Sequence, residues 1–220
     1  MQPFETIARA RTPDGSELTL VRRGDEWVVR VGGTTLMSSR QHDSEESLAT
    51  EALTATADAR SVLIGGLGLG FTLRAVLDRV GAAARVTVCE LVPELVEWNR
   101  THLTALHADA LSDARCEIVV DDVVKAIERS RASYDAILLD IDNGPVALTT
   151  GDNRHLYGER GVRACHAALT PGGVFAVWSA GPSADYERRL RAAGFTVDAR
   201  KVAARRGGGA QHVIFLGRRG

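Results

Sequence analysis

The sequence predicts an α/β fold: a parallel sheet with helices on both faces, preceded by a small antiparallel β region. Three observations predict it. Short alternating runs separated by turn residues fill the first 42 positions, apolar strand-like runs then alternate strictly with helical patterns, and a glycine-rich segment joins the first of those strands to its helix. With 220 residues, 45% of them hydrophobic, the chain is long enough to bury such a core without metal or disulfide support.

Alternating runs at 17–23, 26–31 and 34–37, with Asp14-Gly15, Gly24-Asp25 and Gly32-Gly33 as turns, read as a β meander within 1–42. Asp43 followed by Glu46 has the spacing of a helix N-terminal cap. Leu48, Ala49, Ala52 and Leu53 then supply one apolar face, so a linking helix is expected over 43–57, opening a nucleotide-binding α/β domain over 43–220. Strand-like runs at 62–66, 86–90, 117–120, 136–141 and 174–178 alternate with helical patterns at 71–80, 93–102, 123–129, 155–169 and 183–193. Such alternation implies a parallel sheet covered on both sides. Runs at 196–202 and 212–216, joined by Arg205-Arg206 and three glycines, read as a closing hairpin. Five alternating units and a terminal hairpin are the element order of the Rossmann-like, seven-stranded methyltransferase-type sheet.

Formal net charge is -1 with acids and bases intermixed, which provides no field to gather a nucleic-acid backbone and argues against such a partner. Cys89, Cys116 and Cys165 lie far apart among apolar neighbours, outside any CxxC pair, and read as buried thiols of a reducing, cytoplasmic compartment. The first residues are charged and the longest apolar stretch, 62–77, is broken by glycines and Arg74, so neither secretion nor a membrane span is expected. The six histidines show no metal-ligand spacing, and no metal is expected. His42 is placed beside the predicted substrate mouth, and Trp98 is read as helix packing.

Val62-Leu63-Ile64 runs into Gly65-Gly66-Leu67-Gly68-Leu69-Gly70, ahead of a helix. Glycines there allow a sharp turn and let a ligand approach main-chain N–H groups at the helix start. A dinucleotide fingerprint beginning at Gly66 would need glycine where Phe71 stands, so the alternation of Gly66, Gly68 and Gly70 favours an adenosyl-sulfonium ligand over NAD. The next strand ends in Glu90, twenty residues past Gly70, where an acid is placed to accept from both ribose hydroxyls; Leu91 follows it in the ligand-binding set. The third strand ends in Asp121-Asp122, one carboxylate placed for the adenine amino group and one for capping the following helix. The fourth ends in Asp140-Ile141-Asp142. Taken singly, each acid is equally a helix cap or a solvated loop charge. Their gathering with the glycine loop at the carboxyl ends of the strands argues for a nucleoside site.

With these residues together the chain resembles the spermidine synthase (polyamine aminopropyltransferase) family. The resemblance runs from the N-terminal β region through Ser44-Glu45-Glu46, the glycine loop, Glu90, Asp121-Asp122, Asp140 and Leu156-Tyr157 to the Leu169-Thr170-Pro171-Gly172-Gly173 turn. It implies a ligand-binding role for the glycine loop, Glu90 and Asp121 or Asp122, a base or amine-holding role for Asp140, and a homodimer. The chain also departs from the family. The aspartate that receives the donor's ammonium inside the glycine loop is absent from 66–70, the Tyr-His-Glu segment is Leu48-Ala49-Thr50-Glu51, and the Asp-Ser-Ser/Thr-Asp-Pro loop is Asp140-Ile141-Asp142-Asn143-Gly144-Pro145.

Three readings stay open. The leading one is methyl transfer from S-adenosylmethionine to a small acceptor, favoured by the acid-free glycine loop. The second is aminopropyl transfer from decarboxylated S-adenosylmethionine to a polyamine, favoured by the resemblance and by the acids Asp140, Asp142, Glu45 and Glu46. The third is a catalytically silent ligand-binding protein. In either reaction Asp140 takes the amine proton, Asp142 is a second acidic contact, and Tyr157 is a hydrogen-bonding wall or, equally, helix packing.

Overall fold

The computed structural model describes residues 3–12, 15–56, 58–141, 144–146, 154–205 and 208–220. Four antiparallel strands open the chain in sequence order: β1 (Glu5–Arg11), β2 (Glu17–Arg23), β3 (Glu26–Val31) and β4 (Thr34–Ser38). β1 escaped the pattern reading because Ile7 is its one large apolar residue and the strand is an edge, with a register shift between Thr6 and Ala8.

Helix α1 (Asp43–Thr54) follows. Asp43 is its first residue rather than its cap: His42 holds the cap position, no side chain bonds there, and Asp43, Glu45 and Glu46 instead set negative charge against the helix dipole. The helix stops at Thr54, short of the expected end.

The remaining elements are β5 (Ser61–Gly65), α2 (Phe71–Leu77), β6 (Arg85–Glu90), α3 (Pro93–Thr101), β7 (Cys116–Val120), α4 (Val123–Arg129), β8 (Tyr134–Leu139), α5 (Arg154–Tyr157), α6 (Glu159–Ala168), β9 (Leu169–Ser179), α7 (Ala184–Ala192), β10 (Phe195–Arg205) and β11 (Gly208–Arg219). Seven strands form one sheet in the order β10-β11-β9-β8-β5-β6-β7, parallel except for β11, which runs antiparallel to both its neighbours. The single helix expected at 155–169 is two, because Gly158 takes an extended conformation and starts α6 afresh. The expected turn at 169–173 is a bulge inside β9, between the Tyr134–Leu169 and Ala136–Val174 pairs.

Alternation along the strands divides the core. Val62, Ile64, Leu138 and Ala176 meet Leu48 of α1 and Leu73 of α2 on one face. Leu63, Leu139, Phe175 and Val177 meet Ile127 of α4, Val162 of α6 and Tyr186 of α7 on the other. A third cluster joins Leu18, Leu20 and Val29 of the small sheet to Leu69, Leu95 and Trp98, so that sheet packs directly on the glycine loop and α3. Among the described residues no helix is long and apolar enough to cross a membrane. The three cysteines are free; Cys89 and Cys165 are buried and Cys116 is half-buried.

Candidate active site

From β5 the chain proceeds to β6 and β7 on one side, then crosses over to β8 and β9 on the other. The order therefore reverses between β5 and β8, and an open α/β sheet leaves a crevice beyond the strand ends at that point. The glycine loop leaves β5 on one side of the crevice and Asp140 follows β8 on the other, tied together by Asp140 N–H donating to Gly65 C=O at 2.9 Å.

The loop conformation requires its glycines. Gly66, Gly68 and Gly70 have φ of +89°, +55° and +85°. A Cβ on Gly66 would lie 2.3 Å from the Asp140 carbonyl oxygen, and one on Gly70 2.6 Å from the His107 ring. Gly65 sits where a Cβ would press on Leu139, Ile141 and Val123. Gly68 faces open space, with Met37 Sδ at 3.5 Å from its Cβ direction.

Glu90 is buried at the end of β6, and its carboxylate accepts from Leu67 N–H at 2.8 Å and Val92 N–H at 2.9 Å. It thereby fixes both the glycine loop and the entry to α3. A carboxylate oxygen accepts more than one bond, so this framework role is compatible with the ribose contact expected for Glu90. Leu91 and Val120, at the ends of neighbouring strands, are exposed (53% and 51%) although large and apolar. The structure separates the paired aspartates: Asp122 caps α4 by accepting from Val124 N–H at 2.8 Å, while Asp121 pairs with Lys125 Nζ at 2.7 Å, which holds its carboxyl below the usual range.

Asp140 accepts a 2.7 Å bond from Thr72 Oγ1, yet burial raises its pKa. Glu45, in the first turn of α1, is pushed up to about 7, first by burial and then by the neighbouring charge of Asp140; Ser44 Oγ donates to it at 2.5 Å. The charge of Asp140, tied to the glycine loop, thus reaches the carboxyl of Glu45 on a separate element. Asp142 lies outside the described residues. Tyr157 is buried with its ring edge-on to Tyr186 at 5.9 Å, and its hydroxyl donates to the Ile141 carbonyl at 3.3 Å. Its position braces the segment that follows Asp140.

His42, Asp43 and Glu46 each bring a ligand-type atom within 4.8 Å of the others, with His42 stacked on Phe71 at a centroid distance of 4.0 Å. Sequence reasoning also missed Thr72, Asn99 and His107 as parts of the site. Nothing local marks them, since Thr72 reaches across to Asp140 after β8, and Asn99 and His107 reach the loop from α3 and the segment after it.

A family model for the spermine/spermidine synthase domain matches residues 41–189. The chain is 38% identical over 144 residues to polyamine aminopropyltransferase 2 of Pseudomonas aeruginosa, covering 61% of this chain and 39% of that protein. It is 32% identical over 162 residues to polyamine aminopropyltransferase of Aeropyrum pernix, covering 72% and 50%. The chain therefore spans half or less of the length of these two relatives. The crystal structure of spermidine synthase from Thermotoga maritima superposes with a TM-score of 0.79 at 21% identity, over 98% of this chain and 72% of that one. A spermidine synthase in complex with the transition state analogue AdoDATO gives 0.79 at 22% identity, over 98% and 74%. The match covers the glycine loop, Glu90, both aspartate positions and Asp140, and the fold agrees along nearly the whole chain: it belongs to the spermine/spermidine synthase family.

Proposed function

We propose that this chain transfers an aminopropyl group from decarboxylated S-adenosylmethionine to a small amine acceptor. The observation that carries the reading is that two carboxyls, Asp140 beside the glycine loop and Glu45 in the first turn of α1, feel each other's charge with no cation paired to either among the described residues. Two half-buried acids disfavour an incoming carboxylate and favour an ammonium, which neutralises their repulsion. The tail of decarboxylated S-adenosylmethionine ends in an ammonium alone, whereas intact S-adenosylmethionine brings a carboxylate as well. Methyl transfer, favoured by the acid-free loop, finds no support among the relatives, which are polyamine aminopropyltransferases by name.

In this reading Glu90 holds the ribose, Asp122 or Asp121 the adenine amino group, and Leu91 with Val120 the base faces. The acceptor nitrogen attacks the propyl carbon attached to sulfur. The carbon–sulfur bond breaks, its electron pair stays on sulfur, and methylthioadenosine leaves. The protein's contribution is alignment and exclusion of water, which reaches about 7–11 kcal/mol in well-oriented systems. Asp140 takes the proton that the acceptor amine gives up, since only a neutral amine is nucleophilic.

Calorimetric titration with decarboxylated S-adenosylmethionine, S-adenosylmethionine and methylthioadenosine tests this. The decarboxylated donor is expected to bind at least about tenfold more tightly than the intact one, and Asp140→Asn to slow turnover by about 10²-fold or more. Tighter binding of intact S-adenosylmethionine would overturn the reading. Binding of none of the three would leave a silent scaffold.

A further inference from the structure

We infer that Asn99 is the positioning residue of the glycine loop: it turns the Gly68–Leu69 peptide so that the Leu69 N–H is presented to the bound donor. The inference rests on the nucleoside site proposed above for its ligand and on the geometry alone for its mechanism. Asn99 lies in α3 and is fully buried. Its amide nitrogen has two protons, and both are placed. One bonds the Leu95 carbonyl of its own helix at 2.8 Å and the other the Gly68 carbonyl at 2.9 Å, so the loop is registered to α3 through a single side chain.

The direction of the Leu69 N–H follows from the planar peptide. In a trans unit the C=O and the following N–H point in opposite directions. With the Gly68 carbonyl turned toward α3, the Leu69 N–H points away from it, and among the described residues that N–H donates to no acceptor. Gly66 N–H bonds Cys89 C=O, Leu67 N–H bonds Glu90 and Gly70 N–H bonds Leu67 C=O, which leaves the neighbouring Gly68 and Leu69 amides as the two loop N–H groups with no acceptor among the described residues. Glu90 therefore holds the loop by an N–H and Asn99 holds it by a carbonyl one residue later. Glu90 thus anchors the loop on one side of the Gly68 Cα, and Asn99 fixes the Gly68–Leu69 peptide on the other. His107 completes the support from below, its ring so close to Gly70 that no Cβ fits.

Asn99→Leu keeps the side chain's size and removes both bonds; Asn99→Ser keeps one hydroxyl donor and serves if the leucine variant does not fold. In ligand-free protein the Gly70 amide, protected by its bond to Leu67, is expected to exchange with deuterium about tenfold faster in Asn99→Leu, the loss of about one hydrogen bond. The dissociation constant for methylthioadenosine is expected to rise about tenfold, with the KM for the acceptor unchanged. Ile127→Val, a core change remote from the loop, should lower the melting temperature and leave both readouts alone. A folded Asn99→Leu protein with wild-type Gly70 exchange and wild-type nucleoside affinity would overturn the inference. Failure of the wild-type protein to bind any nucleoside would sink the proposed function instead, while the exchange arm would still decide the role of Asn99.

Discussion

At the scale of single residues, the chemistry depends on which side chains burial forces close together. Glu45 has an ordinary carboxyl pKa of 4.5 when unfolded and about 7 when folded. Below 4.5 both states hold the proton. Between 4.5 and 7 the unfolded chain ionises while the folded protein does not, so stability from this group falls as pH rises through that window. Glu45→Gln is expected to flatten the decline of melting temperature between pH 5 and 7; equal slopes in the two proteins would contradict it. A cationic donor favours the ionised form, so binding near pH 6 should release a proton from wild type and fewer from Glu45→Gln, read from calorimetry in buffers of different ionisation enthalpy. The two glycines Gly66 and Gly68 should behave oppositely. Gly66→Ala drives a Cβ to 2.3 Å from the Asp140 carbonyl and should abolish nucleoside binding. Gly68→Asp meets only Met37 Sδ at 3.5 Å and sits at φ +55°, a left-handed conformation that aspartate enters at a cost of about 1 kcal/mol. It puts an acid into the loop, and decarboxylated donor should bind about tenfold more tightly while methylthioadenosine affinity stays unchanged.

At the scale of elements, capping decides what each acid after a strand is free to do. Asp122, two residues past the end of β7 at Val120, starts α4, its carboxylate accepting from Val124 N–H. Asp122→Ala should cost about 1 kcal/mol, lowering the urea midpoint without changing the slope of the transition. A change in slope would mean that more than the cap was lost. The start of α1 shows the reverse case. The residues Asp43 and Glu46 had the spacing of a cap, but the chain enters the helix one residue earlier, through His42. That displacement leaves Glu45 within reach of the Asp140 charge, with Asp43 and Glu46 beside His42.

At the scale of the whole molecule, the small sheet and the α/β unit share an apolar cluster. Leu20 is fully buried in it together with Leu69 of the glycine loop and Trp98 of α3. Leu20→Ala is expected to cost about 2–5 kcal/mol and to lower the melting temperature by about 2–4 °C per kcal/mol. Far-ultraviolet dichroism and tryptophan fluorescence, which sees Trp27 in the small sheet and Trp98 outside it, should report one coincident transition. Separate transitions would show that the two parts unfold independently.

The alternation of strand and helix, the glycine loop and the acids Glu90, Asp121, Asp122 and Asp140 at strand ends were legible in the sequence, because each follows from local periodicity or from the position of a residue in its own element. The parallel sheet was legible for the same reason, and the family through the resemblance that those residues carry together. What only the tertiary structure decided was which of those acids acts with which partner. That the charge of Asp140 reaches Glu45, and that Asn99 holds Gly68 across a 31-residue separation, depend on how α1 and α3 pack around the sheet. Burial and contacts between elements distant in sequence determine those energies, and no local pattern carries them.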